Sequence, residues 1–209
     1  MAGVDKAVDT RWDHALRVAH ETTGLTTTER VKEVTTLLGR ELAMVGAATG
    51  AAAALPITGT GTAIATGVGE LGWFTMRSAD LILAIAAIHG YSQETIEQRR
   101  AWVLSILVFG DGAAGGFNRL AAELGRGLGT HGTRGLSAAG LRSINGALGR
   151  MVISKYGRRR GIVAAGTALP FGIGAAVGGT ANYAMVRTLA HQADNFFSSL
   201  PPGLSVRRR

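Results

Sequence analysis

Apolar residues recur at helical spacing along most of this chain, beginning near the N-terminus. The first apolar stripe, with charged residues between its members, consists of Val4, Val8, Trp12, Leu16 and Ala19. It predicts an amphipathic helix that ends near Gly24. A capping-box pattern of Thr26 and Glu29 predicts a second helix from about Thr27. Because no convincing run alternates apolar and polar residues with a period of two, we predict an all-α chain.

Two long stretches carry no charge, residues 42–69 and residues 161–186. Each contains the tripeptide Ala-Leu-Pro, which ends at Pro56 in the first stretch and at Pro170 in the second. Pro ends a helix, and Gly-rich sequence follows each tripeptide. We therefore predict two Gly/Ala-rich helical hairpins, each centred on an Ala-Leu-Pro turn. The pair Gly46 and Gly50 would permit close approach of another helix.

Further helices are predicted between and after these turns. One runs from about residue 62 to Ile88 and stops at Gly90, and the next starts at Ser92, with Glu94 in its first turn, and reaches Phe109. Residues 111–116 read as a break. The Gly- and Arg-rich region 115–161 is predicted to form one or two helices, and the last helix covers about residues 172–197. Residues 1–200 are thus expected to form a single helical domain, followed by a basic tail at 201–209.

Charge is scarce in this chain and unevenly distributed. Charged residues make up 17% of the sequence, against about 25% in typical soluble domains. Residues 1–124 hold 10 Lys/Arg and 13 Asp/Glu, a net charge of −3, and residues 125–209 hold 12 Lys/Arg and one acidic residue, a net charge of +11. This asymmetry predicts a polyanionic partner for the C-terminal half, either anionic lipid or nucleic acid.

Several classes of chemistry have no support in the sequence. The chain has no Cys, which excludes disulfides, thiolate metal sites and a thiol nucleophile. Its five His residues form no ligand pattern typical of metal sites. Residues 67–72 match the dinucleotide fingerprint G-x-G-x-x-G, but they lie in a helical pattern without the required strand. We predict no catalytic, cofactor-binding or metal-ligating residues. Charged residues near the N-terminus occupy the place of a signal-peptide core, so we expect a cytoplasmic protein.

Ionisable residues in otherwise apolar helices form a candidate polar network. Arg77 and Asp80 are three residues apart and can pair on one helix. Glu70 lies two turns before Arg77, so it needs a tertiary partner, for which Asn182 and Arg187 of the second charge-free region are the candidates. A buried ion-pair network, with Glu70 paired to Arg187, is favoured over a functional pocket.

A basic cluster next to the second charge-free stretch is the candidate contact with anionic lipid. Arg134, Arg142, Arg150 and Arg158 are spaced by eight residues and give a broad basic band on a helix. The lipid-contact residues predicted from this pattern are Arg150, Arg158, Arg159 and Arg160. A basic cluster beside an apolar segment is typical of a cytoplasmic membrane face. Nucleic acid is disfavoured as a partner, because no aromatic residues are interleaved with the basic ones.

Residues 54–114 resemble the core of the EcsC family, and residues 174–197 resemble its C-terminal signature. The resemblance rests on the early Leu-Pro turn, an acidic residue in the next helix, the helix end at Ile88-His89-Gly90-Tyr91 and the closing Gly-Gly-x-x-Asn-Tyr sequence. It implies a bacterial, mostly helical protein at the cytoplasmic membrane, peripheral or partly inserted, in a family whose namesake is encoded with an ABC transporter linked to secretion. It implies no catalytic residues.

Two functions are compatible with these patterns. The first is a non-enzymatic, membrane-associated accessory protein that binds anionic lipid, a membrane protein such as an ABC transporter, or both, through its hairpins and basic half. The second is a soluble all-α enzyme or small-ligand-binding protein with a polar pocket around Glu70. The sequence leaves the oligomeric state open, and it leaves open whether the hairpins enter a bilayer or form a soluble core.

Overall fold

A computed structural model describes residues 8, 10–53, 76–124, 136–166 and 173–200, and the all-α prediction is confirmed there, since these ranges contain helices and no strand. The helices are α1 (Trp12–Glu21), α2 (Thr27–Ala53), α3 (residues 76–88), α4 (Ile96–Phe109), α5 (Ala113–Glu123), α6 (Ala138–Gly166) and α7 (Ile173–Ser199). A short 3-10 turn, Gly110–Gly112, joins α4 to α5.

Three of the predicted helix boundaries are confirmed. The Thr26 backbone N–H donates to the Glu29 carboxylate at 2.9 Å, and this capping box starts α2 at Thr27. At the end of α3, Gly90 has a φ of +87°, which only Gly adopts without strain. The last helix, α7, covers nearly the predicted range.

Two predicted boundaries are wrong. The helix α4 begins at Ile96, with Thr95 as its N-cap, and not at Ser92. Thr95 and Gln98 form a complete capping box there, which satisfies two free backbone N–H groups and places Glu94 before the helix. The predicted break at residues 111–116 is only the 3-10 turn, and α5 starts at Ala113, because Gly110 with a φ of +59° is enough to redirect the chain.

The core is formed mainly by α3 and α4, with contributions from the faces of the other helices. The largest fully buried side chains include Trp102, Phe197, Ile85, Leu104, Ile144 and Leu148. Trp102 packs edge-on against Phe197 with ring centroids 5.2 Å apart, which joins α4 to α7. The region 115–161, for which one or two helices were predicted, supplies α5 and most of α6.

The helices α2 and α7 pack closely along an antiparallel interface made possible by small residues. A Cβ atom on Gly39 would lie 2.8 Å from Tyr183, and a Cβ atom on Gly179 would lie 3.1 Å from the Ala43 carbonyl oxygen. Because the residue numbers rise on α2 while they fall on α7, the two helices are antiparallel. Residues 42–53 of α2 and 173–186 of α7, both free of charge, therefore lie together at one end of the pair, which we call the charge-free end.

Two more contacts show that α6 points towards the same end. Asn145 contacts Glu97, and Lys155 contacts the carbonyl oxygens of Leu107 and Val108, so α6 runs parallel to α4. The helix α4 in turn runs antiparallel to α7, since Trp102 packs on Phe197 and Gly110 lies against Gln192. The C-terminal part of α6, with its three consecutive arginines, is thus directed towards the charge-free end.

Candidate functional site: a charged network below the charge-free end

Four charged side chains from three parts of the chain meet at the base of the charge-free end. Asp80 on α3 is 2% exposed and accepts two hydrogen bonds from Arg11, at 2.7 and 2.8 Å. It also accepts a bond from Arg77 at 2.7 Å. Arg77 donates in addition to the carboxylate of Glu41 on α2. Glu41 directly precedes the first charge-free residue, so the network marks the boundary between charged and charge-free sequence.

Local sequence explains how each member reaches this position. Arg77 and Asp80 lie one turn apart on α3, which places both side chains on the same side of the helix. Arg11 immediately precedes α1, whose apolar side buries Trp12, Ala15 and Ala19. The burial of this side carries Arg11 to α3, where it makes a bidentate pair with Asp80.

Two groups in or beside the network have shifted pKa values. The hydrogen bond to Asp80 raises the pKa of Arg11 above its ordinary value, although partial burial acts in the opposite direction. Burial lowers the pKa of the His14 imidazole. The Asp80 carboxylate opposes this effect, while the guanidinium groups of Arg11, Arg77 and Arg17 add to it. Burial therefore favours neutral His14 in the folded protein.

This arrangement is suited to holding helices together. Both oxygens of Asp80 are occupied by guanidinium groups, so this carboxylate is committed to pairing. Two arginines face two carboxylates, so the four formal charges cancel. In the described part of the chain, no group of three His, Asp or Glu residues could hold a metal ion.

Within the described residues, two members of the predicted network contact each other. Arg77 and Asp80 pair as expected. Asn182 donates to the Leu42 carbonyl oxygen at 3.2 Å, which ties α7 to α2 instead of joining the ion pairs. Arg187 is exposed on α7. Glu70 lies outside the described residues, and its pairing with Arg187 stays a prediction.

Two members of the network, Arg11 and Glu41, were not predicted from the sequence. Asp80, the partner of Arg11, is 69 residues away from it, and local spacing contains no sign of so distant a pairing. For Glu41 a signal was available. It is the last charged residue before a long charge-free stretch, and a charge at such a boundary requires a partner if the helix packs there.

The helix α6 presents basic residues to solvent. Arg142 and Arg150 are exposed, and Ile153 beside them is 59% exposed. These three residues share the outer face of α6, opposite the buried Leu141, Ile144 and Leu148. Of the predicted lipid contacts, Arg150 is therefore accessible. The helical range of α6 includes Arg158, Arg159 and Arg160, but their side chains are not among those that the structure describes. Arg134 lies outside the described residues.

Lys155 differs from the other basic residues of α6, because it faces inward. Its ammonium group donates to the carbonyl oxygens of Leu107 and Val108, at 3.0 and 2.7 Å. It thus satisfies acceptors at the C-terminal end of α4, where a cation also complements the helix dipole. A shallow open cleft of about 430 Å³ lies beside it, lined by Val108, Met151, Ser154 and Lys155.

A tertiary contact between an imidazole and a carboxylate lies at the opposite end of α3. The imidazole Nε2 of His89 is 2.8 Å from an Asp194 oxygen, and the pair joins the end of α3 to α7. At another contact, the Asn145 amide donates to the carbonyl oxygen and to the carboxylate of Glu97, at 3.0 and 2.8 Å. Both contacts fix helix positions.

The fold and the site define an all-α protein in which buried ion pairs join the helices below a charge-free end. No family model, no curated protein and no solved structure matches this chain. Among the described residues, no helix has the combination of length and hydropathy that crossing a membrane requires.

Proposed function

We propose that this protein is a non-enzymatic accessory protein that binds the anionic cytoplasmic face of the cell membrane. The observation that carries the proposal is the outer face of α6, which exposes Arg142 and Arg150 beside the apolar Ile153. The whole of α6 contains no acidic residue. Exposed cations beside exposed apolar side chains match a surface of anionic headgroups over hydrocarbon.

The pairing of Arg77 and Asp80 within the ion-pair network supports a binding role over an enzymatic one. An enzyme or small-ligand site needs polar groups that converge on accessible space. Here Arg77 and Asp80 are paired with each other and with Arg11 and Glu41. The alternative of a polar pocket around Glu70 therefore has less support, because two of its intended members are already used in pairing.

The resemblance to the EcsC family agrees with this proposal and extends it. If the chain is such a protein, its membrane role would serve ABC transport or secretion, and a membrane protein would share the surface with lipid. The charge of the C-terminal half does not require a protein partner, since anionic lipid alone satisfies it.

Sedimentation with vesicles tests the proposal. We expect the full chain to bind vesicles of phosphatidylglycerol and phosphatidylcholine at low salt, and to bind phosphatidylcholine alone much more weakly. Binding should weaken as added salt shortens the Debye length, about 10 Å at 0.1 M. The double variant Arg142→Gln/Arg150→Gln should bind less tightly, with a loss of about 1 kcal/mol for each charge.

A matched control is Arg119→Gln, which removes an exposed charge from α5 in the acidic part of the chain. It should bind like the unaltered protein. If the chain ignores anionic vesicles altogether at low salt, the proposal is wrong. Binding to native membrane vesicles but not to lipid vesicles would make a membrane protein, and not lipid, the ligand.

A further inference from the structure

The middle of α2 has an exposed side that faces away from the core. Leu38 and Leu42 are buried and mark the side that faces the core. One flank of α2 packs on α7 and the other flank is paired with Arg77 of α3. The fourth side lies opposite the buried leucines and is open to solvent. Four exposed residues on this side form what we call the outer stripe of α2: Glu33, Leu37, Arg40 and Met44.

The outer stripe has the spacing by which one helix packs on another. Its members follow each other at intervals of four, three and four residues, which keeps them on one line along α2. Its two apolar members are highly exposed, since Met44 is 73% and Leu37 is 59% accessible. A single exposed apolar residue is ordinary on a protein surface. Two of them on one line, two turns apart, instead favour contact with another helix.

The two charged members of the stripe are complementary to each other. Glu33 and Arg40 lie two turns apart, about 10 Å along the axis, which is too far for a direct ion pair within one helix. In the described part of the chain neither of them forms a salt bridge. They lie on either side of Leu37. A two-fold axis through this point would therefore bring each Glu33 onto the Arg40 of a second copy, as an interface between identical surfaces requires.

We propose that the outer stripe of α2 is the interface of a two-fold symmetric dimer of this chain, in which the two α2 helices pack antiparallel. Leu37 of each copy meets its counterpart near the axis, and two Glu33–Arg40 ion pairs flank this contact. Met44 packs over the first turns of the other α2. A single pair of helices buries less than the roughly 1,200 Å² of a stable interface, so the dimer is weak and reversible. The inference is independent of the proposed membrane binding, and lipid-free protein tests it.

Sedimentation equilibrium of the full chain measures the dimer directly. We expect a monomer–dimer equilibrium with a dissociation constant of about 10–100 μM. Glu33→Arg and Arg40→Glu each place like charges opposite one another at two symmetric positions, so each should weaken the dimer by about tenfold. Lys32→Glu is the matched control. Lys32 is exposed on α2 about 100° around the helix from Glu33, and this variant changes the charge as Arg40→Glu does but should dimerise like the unaltered chain.

Mixing the two weakened variants tests the predicted pairing itself. When Glu33→Arg is mixed with Arg40→Glu, every cation of the stripe faces an anion of the other copy. The mixed dimer should therefore regain the affinity of the unaltered chain, and so should the double variant Glu33→Arg/Arg40→Glu. A mixture of Glu33→Arg with Lys32→Glu has the same charges in total and should not regain it. If the first mixture associates no better than its components do alone, the copies do not meet through this stripe and the inference is wrong.

The apolar part of the stripe gives an independent measurement. Leu37→Glu places two carboxylates at the axis and should weaken the dimer by more than tenfold, while Leu25→Glu, at an exposed position before α2, should not. Thermal unfolding of the dilute monomer should be unchanged in both. A large loss of monomer stability in Leu37→Glu would show that the same chain covers the stripe, and would overturn the inference. So would an unaltered chain that stays monomeric at several hundred micromolar, whether or not Leu37→Glu then loses vesicle binding.

Discussion

Arginine has opposite roles in two regions of this molecule. Around α3, Arg11 and Arg77 are bound to Asp80 and Glu41, and they hold three parts of the chain together. On α6, Arg142 and Arg150 project into solvent from a helix without any acidic residue. The difference shows that burial, and not residue type, determines whether an arginine pairs within the fold or stays accessible to a partner. A buried arginine needs a matched carboxylate, while an exposed one remains available to a partner.

The largest effect is expected when the carboxylate that two arginines share is removed. Asp80→Ala should destabilise the fold by about 3–5 kcal/mol, because it leaves two guanidinium groups without their buried partner. The free energy of unfolding in urea would measure the loss. Asp111→Ala removes an exposed carboxylate and should change stability by less than about 0.5 kcal/mol. Similar losses in the two variants would contradict a structural role for the network.

The second test concerns the close approach of α2 and α7, which positions the charge-free end. Gly179→Ala places a Cβ atom 3.1 Å from the Ala43 carbonyl oxygen, and we expect a loss of about 1–3 kcal/mol. Gly146→Ala is the matched control on α6, where only the end of the Arg150 side chain is near, at 3.8 Å. It should stabilise the protein by about 0.5–1 kcal/mol through helix propensity. Stabilisation by both variants, measured by thermal unfolding, would show that the helices do not need this contact.

A third test measures stability and vesicle binding separately for the arginines of α6 and for those of the network. The double variant Arg142→Gln/Arg150→Gln should unfold within about 0.5 kcal/mol of the unaltered chain, since both side chains are exposed. Its affinity for anionic vesicles should nevertheless fall. Arg77→Gln should behave in the opposite way, with a large loss of stability. If the α6 variant unfolds early, its arginines serve the fold and the two regions do not differ as described.

The smallest expected effect is a dependence of stability on pH that originates at His14. Because burial lowers the pKa of His14 in the folded state, the unfolded chain binds a proton more readily. The contribution to stability is therefore present above the unfolded pKa of about 6.5 and is lost as the pH falls through the lower folded value. His14→Gln should flatten this part of the stability profile, while His191→Gln, at an exposed position on α7, should not. An unchanged profile in His14→Gln would assign the dependence to other groups.

Local signals predicted much of the fold. The Thr26–Glu29 capping box, the Gly90 helix end and the Arg77–Asp80 pair each depend on residues within one turn of each other. Such interactions can be inferred from spacing alone. The predicted start of α4 was wrong, although Ser92 and Thr95 are both acceptable N-cap residues. Only Thr95 has a Gln three residues later, which completes a capping box.

The remaining contacts are tertiary and could not be inferred from spacing. Arg11 meets Asp80 across 69 residues, and Asn182 meets Leu42 across 140. Nothing in either local sequence specifies the partner. The expected pairing of Arg187 with Glu70 stays a prediction, because Glu70 lies outside the described residues; Arg187 itself is on the exposed side of α7. Which face of a helix is buried depends on the neighbours that pack against it.

The antiparallel contact between α2 and α7 also has a consequence for biosynthesis. The Leu42 carbonyl oxygen meets its partner Asn182 only after 140 further residues have been added. At about 5–20 residues per second, the ribosome needs roughly 7–30 seconds to supply them. Throughout that interval the apolar sequence after Leu42 is made but lacks the helix that will cover one of its sides. We expect a nascent chain of this protein to require shelter during synthesis, from a chaperone or from the membrane.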